Sequence, residues 1–156
     1  MKLIPPRNFI YHNENIIFSG YPDIENIRFI KSLGFRKFIN VCEIWPKPHE
    51  AALAKELQIK LMHYPLTVGE YSFSPIDEDK LAAIINIIVQ EINKGSKIYV
   101  YDEVGTKKVG LISAILRKIE KWDLTSVLLE YQRIAGTDAS NFSTRFVCNY
   151  NISRWH

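Results

Sequence analysis

Apolar residues recur along this chain with two different periods, and the switches between them divide it into strands and helices. Residues 1–22 read as an extended leading segment, with Ile16–Phe18 as a short strand before the Ser19-Gly20-Tyr21-Pro22 turn. Asp23 marks a helix start, and Ile24, Ile27, Phe29, Ile30 and Leu33 roughly follow the helical period. Gly34 stands where a left-handed residue ends a helix. Phe38–Val41 reads as a strand, Pro46 and Pro48 punctuate the loop after it, and Glu50–Leu57 reads as a short helix. Ile59, Leu61 and His63 then alternate with Lys60, Met62 and Tyr64, as a further strand requires.

The strongest helical signal comes next. Ser74, Pro75 and Asp77 resemble a capping box with proline at the first helical position. Leu81, Ile84, Ile85, Ile88 and Ile92 form one apolar stripe, which Gly95 stops. Ile98-Tyr99-Val100-Tyr101 is a short, continuous apolar run, the signature of a buried central strand. After the polar stretch Asp102–Lys108, a helix is predicted with Leu111, Ile112, Ile115, Leu116 and Ile119 facing the core. Asp123 and Asp138 are the expected caps of two more helices, over 124–135 and 139–150. Strands alternating with helices, followed by a run of helices, predict an α/β sheet with a helical carboxyl-terminal cluster.

Composition narrows the function more than the fold. A length of 156 residues suits a single domain, here 1–156, and 47% apolar with 24% charged residues is ordinary globular usage. The net charge of +3 comes from scattered basic residues, which leaves room for an anionic ligand and gives no reason to expect nucleic acid. Apolar runs are too short for a bilayer, so no membrane association is expected. Pro5 and Pro6 break the apolar core that a signal peptide needs. With only Cys42 and Cys148, no disulfide framework is expected, and a reducing, cytoplasmic setting fits best. The histidines at 12, 49, 63 and 156 show no ligand-like pairing, so neither a metal nor another cofactor is expected.

Position singles out one stretch. In open α/β folds ligands gather beyond the carboxyl ends of strands, where a following helix presents unpaired amides. Residues 102–108 occupy such a place, although on position alone a plain strand-to-helix connection is the favoured reading of them.

Resemblance separates these readings. Leu3-Ile4-Pro5-Pro6-Arg7-Asn8-Phe9, then Ser19-Gly20-Tyr21-Pro22 with Asn26, Phe29 and Leu33-Gly34, resemble successive blocks of the plant and fungal atypical dual-specificity phosphatases, the group of the yeast Siw and Oca proteins. Gly110, Leu116-Arg117-Lys118, Trp122, Leu124-Thr125-Ser126-Val127, Glu130-Tyr131-Gln132-Arg133 and Arg145-Phe146 resemble that family's carboxyl-terminal signature. The resemblance implies a cysteine-phosphatase fold, a central, mainly parallel sheet flanked by helices.

That family's active loop has the form His-Cys-x-x-Gly-x-x-Arg-Thr-Gly. Here the corresponding stretch is Tyr101-Asp102-Glu103-Val104-Gly105-Thr106-Lys107-Lys108-Val109-Gly110, in which only Gly105 and Gly110 match. Asp102 holds the nucleophile position, Lys108 that of the arginine, and Val109 that of the hydroxyl. No catalytic residue is therefore expected. A fixed carboxylate about 4 Å from an incoming phosphate charge opposes it by roughly 1 kcal/mol in water and about 4 kcal/mol at an effective dielectric near 20. Lys108 offers a point charge and not the planar fork that grips two oxygens. Glu103 adds negative charge where aspartyl-phosphate enzymes bring a cation. These substitutions predict that Asp102 sits in the place of a phosphate, accepts loop amides and pairs with Lys107 or Lys108. Glu70 lies where the family carries its general acid and is a candidate relic of it; Cys42, Tyr101 and Trp122 read as packing residues.

The expected function is a catalytically inactive phosphatase-like protein acting as an interaction or regulatory subunit. Its partners would be other phosphatase-like family members in a heteromeric complex, met near Tyr131, Arg133, Arg145 and Trp155. The alternative is residual phosphatase activity on phosphotyrosine or inositol pyrophosphates, or binding of phosphate or an inositol polyphosphate without turnover.

Overall fold

The computed structural model describes residues 3–69 and 75–156. Five strands, β1 (Ile10–Asn13), β2 (Ile16–Ser19), β3 (Lys37–Asn40), β4 (Lys60–His63) and β5 (Ile98–Tyr101), form one sheet in the order β1-β2-β5-β3-β4. β2, β5, β3 and β4 run parallel, and β1 closes one edge antiparallel to β2. The sheet is thus mainly parallel, as the resemblance implied. β1 was missed because Tyr11 and Asn13 face outward and the leading segment carries no clean alternation.

Period-2 alternation assigns each strand residue to one of two cores. Ile98 and Val100 of β5 face a large core with Ile16, Phe18, Ile39 and Val41. That face is covered by α3 (Glu78–Asn93), α4 (Lys107–Ile119), α5 (Leu124–Ala135) and α6 (Asn141–Asn149). Tyr99 and Tyr101 face the smaller core with Ile17 and Phe38, under α1 (Ile24–Ser32) and α2 (Pro48–Glu56). Both faces of β5 are fully buried, which is why its sequence is a continuous apolar run.

The caps follow the sequence at α1 and α5. Asp23 accepts the Asn26 amide in a reciprocal capping box, and Asp123 accepts the Ser126 amide at 3.0 Å. Two expectations are corrected. α3 begins at Glu78 with Asp77 as its cap, so Pro75 lies outside the helix, while Ser74 falls outside the described residues. Glu78 and Asp79 in its first turn complement the helix dipole. α6 is capped by Ser140 and not by Asp138, which belongs to a short 3₁₀ turn, Gly136–Asp138. At the other end of α6, the Lys118 ammonium donates to the carbonyls of Val147, Cys148 and Tyr150 at 2.7, 3.2 and 2.8 Å, satisfying acceptors a helix end leaves open.

The family block Glu130-Tyr131-Gln132-Arg133 also acquires a packing role. Glu130 accepts from Arg117 Nε at 2.9 Å, and Arg117 reaches the His12 carbonyl at 2.7 Å and Glu120 at 2.9 Å. The guanidinium lies 4.0 Å from the Trp122 ring centre, so β1, α4 and α5 meet on one side chain. Tyr131 is buried and donates to Ser143 at 2.7 Å, and half-buried Trp155 donates to Asn86 at 2.8 Å. Both aromatics help to hold α6 and the chain end in place; Tyr131 is withdrawn from the surface, while Trp155 remains partly exposed and Arg133 and Arg145 are exposed.

Candidate functional site

Strand β5 ends at Tyr101, and six residues later α4 begins. Between them the chain turns back on itself, and its amides converge on one carboxylate. Asp102 Oδ1 accepts the amides of Val104, at 3.1 Å, and Gly105, while Oδ2 accepts those of Lys108, at 3.0 Å, and Val109, at 3.2 Å. Lys108 and Val109 belong to the first turn of α4, whose amides have no partner within the helix. Thr106, at the cap position, makes no capping bond of its own. Asp102 therefore caps α4 from the end of the preceding strand, in the place where an α/β fold seats an anion. It is 2% exposed. Burial pushes its pKa up, against the amides of Gly105, Val109 and Lys108, which favour the charged form.

For Lys108, the expected pairing with Asp102 is corrected by this geometry. Lys108 Nζ turns instead to Glu103, at 2.9 Å, with the Val41 carbonyl at 3.5 Å and Glu43 at 4.0 Å. Both oxygens of Asp102 are filled by amides, so the ammonium finds its carboxylate one residue on. Burial is the largest influence and works against the Glu103 carboxylate, but the Lys108 hydrogen bond and charge, together with the amides of Glu103 and Glu43, outweigh it and hold the pKa below the ordinary glutamate value. Glu103 supplies the neutralising charge that sequence reasoning read as an added repulsion. Lys107 opens α4 beside Lys108, at the mouth.

Close backbone approach explains the first of the two matching glycines. Gly105 has φ of +90°, and a Cβ there would lie 2.5 Å from the Gly20 nitrogen; a Cβ on Gly20 would lie 2.5 Å from the Val104 carbonyl oxygen. Gly110 lies inside α4 against Tyr131 and Ile134 of α5. The leading segment braces the loop from outside, with Asn8 Nδ2 donating to the Val104 carbonyl at 2.8 Å and the Gly20 amide to the Arg7 carbonyl at 2.8 Å. Sequence reasoning missed these bracing roles; Asn8 stood only as a member of a resembling block, and Gly20 as a member of another and of a turn.

Around the mouth, Glu43, Thr106 and Asp138 join Asp102, Glu103, Lys107 and Lys108 in lining a cavity of about 320 Å³. Thr106 Oγ1 donates to Asp138 at 2.6 Å, which ties the loop to the α5–α6 corner. Behind the loop, Glu50 accepts from Tyr21, from Tyr101 at 2.8 Å and from Asn40 at 2.8 Å, so the Tyr101 hydroxyl is consumed in packing. Cys42 is fully buried, and burial followed by the Glu103 and Asp102 charges pushes its thiol pKa up, the reverse of what a nucleophilic thiolate needs. Trp122 stacks on Arg117 and is partly exposed. Glu70 lies outside the described residues. Among the described residues, no three His, Cys, Asp or Glu side chains come together as a metal site, and no helix is long and apolar enough to cross a membrane.

Comparison with known proteins agrees with this architecture. The sequence model of the tyrosine phosphatase family matches residues 3–155. Inositol diphosphatase DSP5 of Arabidopsis thaliana is 31% identical over 153 residues, covering 97% of this chain and 74% of its own length. Inositol diphosphatase DSP1 of Oryza sativa is 30% identical over 154 residues, covering 97% of this chain and 67% of its own. Among solved structures, the core catalytic domain of the PP-IP phosphatase SIW14 from S. cerevisiae, in complex with citrate, superposes with a TM-score of 0.86 at 23% identity, over 98% of this chain and 91% of that one. That likeness shows a shared fold.

Proposed function

This chain belongs to the tyrosine phosphatase family, and within it we propose that it is a domain that binds rather than hydrolyses, acting as an interaction or regulatory subunit. Other phosphatase-like family members, in a heteromeric complex, are the partners we propose. One observation carries the reading: the Asp102 carboxylate occupies the ring of amides at the start of α4, with each oxygen committed to two of them. An attacking oxygen has to face phosphorus in line, and a side chain 2% exposed, held from both sides, offers no such face. A phosphate entering beside it also meets the repulsion of about 1–4 kcal/mol set by charge and dielectric. Lys108, which stands where the family has its arginine, is already engaged by Glu103.

A phosphate-release assay tests this with a phosphotyrosine peptide and an inositol pyrophosphate as substrates, comparing the chain with Asp102→Ala. The expected result is no release above the blank for either protein. Release by the unaltered chain that Asp102→Ala abolishes would overturn the reading.

The second reading, a residual phosphatase or a binder of phosphotyrosine or inositol pyrophosphates, draws support from the two inositol diphosphatase relatives and from the cavity beside Lys107. The same assay decides activity, and titration with an inositol pyrophosphate followed calorimetrically decides binding.

A further inference from the structure

Two large apolar side chains stand in water directly after Glu43, which lines this mouth: Trp45 is 81% exposed and its neighbour Ile44 is 55% exposed. Their segment is not a loose loop. The Glu43 amide donates to Glu103 Oε2 at 3.3 Å, the Cys42 amide to Asn40 Oδ1 at 2.8 Å, and the Lys47 amide to Tyr21 Oη at 3.2 Å. His63 Nε2 lies 2.8 Å from the Cys42 carbonyl oxygen, and its ring lies 5.2 Å from that of Trp45. Glu103 thus does two jobs, holding Lys108 and pinning the segment that presents Ile44 and Trp45. An exposed, pre-organised aromatic–aliphatic pair is the usual core of a protein-binding hot spot.

The charge around the pair selects its occupant. Glu43 precedes it, Glu103 holds the Glu43 amide, and Asp138 lines the same cavity, while Lys108 is already neutralised by Glu103 and approached by Glu43 at 4.0 Å. Three carboxylates that reach solvent, those of Glu43, Glu103 and Asp138, face two ammonium groups, Lys107 and Lys108, in a chain whose net charge is +3. The mouth is locally acidic in a basic protein. We propose that Ile44, Trp45 and this acidic rim form a docking surface for a protein segment carrying an apolar side chain next to lysine or arginine. The apolar residue packs on Trp45 and Ile44, and the basic residue lies against Glu43 and Asp138. This rests on the non-catalytic reading above and names the chemistry of the partner that the site takes.

An array of peptides with a central Leu or Phe flanked by Lys or Arg, alongside Glu-flanked and Gln-flanked copies, is probed with the full chain. The best binder is then measured by fluorescence anisotropy. Basic-flanked peptides are expected to win, with affinity falling as salt rises. Trp45→Ala and Glu43→Gln are each expected to weaken binding about tenfold. No bound peptide, no preference for basic flanks, or unchanged affinity in both variants would overturn the proposal. So would displacement of the peptide by inositol hexakisphosphate, or self-association of the chain that Trp45→Ala abolishes, which would assign the patch to a phosphorylated ligand or a second copy. Phosphate release measured on the same preparation separates the two readings: turnover with peptide binding intact removes only the non-catalytic one, and silence without peptide binding removes only the docking surface.

Discussion

Lys108 and Glu103 form an ion pair at 2.9 Å in which the lysine side chain is 8% exposed and the glutamate 43%. The pair lines the same cavity as Asp102 and anchors the Glu43 amide at the same carboxylate. Removing only the acid strands a nearly buried ammonium. Glu103→Gln is therefore expected to cost about 1–2 kcal/mol, less than a fully buried pair because Glu103 is partly solvated. Chemical denaturation measures it, and an unchanged midpoint would show that the pair is only a surface contact.

Asp102→Ala leaves four converging amides without their acceptor. Each orphaned buried donor costs about 1–3 kcal/mol, offset in part by water entering the space, so a net loss of about 2–4 kcal/mol is expected. The vacated ring is then an anion site. Sulfate should raise the melting temperature of Asp102→Ala above its general salt effect on the unaltered chain. A gain in stability from the substitution would contradict the capping role of the carboxylate.

Gly105 and Gly95 both have positive φ, +90° and +82°, but only Gly105 faces backbone at 2.5 Å, while a Cβ on Gly95 meets nothing within 4 Å. Gly95→Ala is expected to cost about 1–2 kcal/mol for the left-handed conformation alone. Gly105→Ala must also part the loop from Gly20, and a loss of more than about 3 kcal/mol or failure to fold is expected. Equal costs, compared by thermal melting, would mean that the close approach is not tight.

Arg117 spends its donors on Glu130, Glu120 and the His12 carbonyl while stacking on Trp122. Lysine keeps the charge but loses the planar fork. Arg117→Lys is expected to destabilise by about 1–3 kcal/mol, largely through the partly stranded Glu130. Hydrogen exchange at the β1–β2 hairpin should rise with it.

Glu91 gives the pH dependence. The hydrogen bond from Lys37 holds its carboxyl below the ordinary value of 4.5, against the opposing effect of burial. A depressed carboxylate pKa contributes stability that is present above the ordinary value and is lost as pH falls through the folded-state value. The stability gap between the unaltered chain and Glu91→Gln should hold steady above about pH 5 and close as the medium is acidified below the ordinary glutamate value. Urea titrations across that range would refute the pairing if the gap were constant.

The order of elements was legible because burial writes its period into the chain. Ile98–Tyr101, buried on both faces, reads as a strand, and the stripe Leu81–Ile92 reads as a helix. Local capping was legible where the acceptor sits beside its helix, at Asp23 and Asp123, and failed at Asp138, whose carboxylate is taken by Thr106, thirty-two residues away in sequence. Strand β1 escaped because an edge strand with one buried residue has almost no pattern to read.

By itself the sequence determined the α/β order, the family resemblance and the identity of the loop Asp102–Lys108, since each depends on residue type and spacing along the chain. Only the tertiary structure decided which charge meets which. Four amides filled Asp102, so Lys108 went to Glu103; Gly20 and Asn8 closed on the loop from far upstream; and Glu43 was drawn in to present Ile44 and Trp45. Such pairings are settled by distance across the sheet end, where residues remote in sequence compete for the same few donors, and no local pattern records who wins.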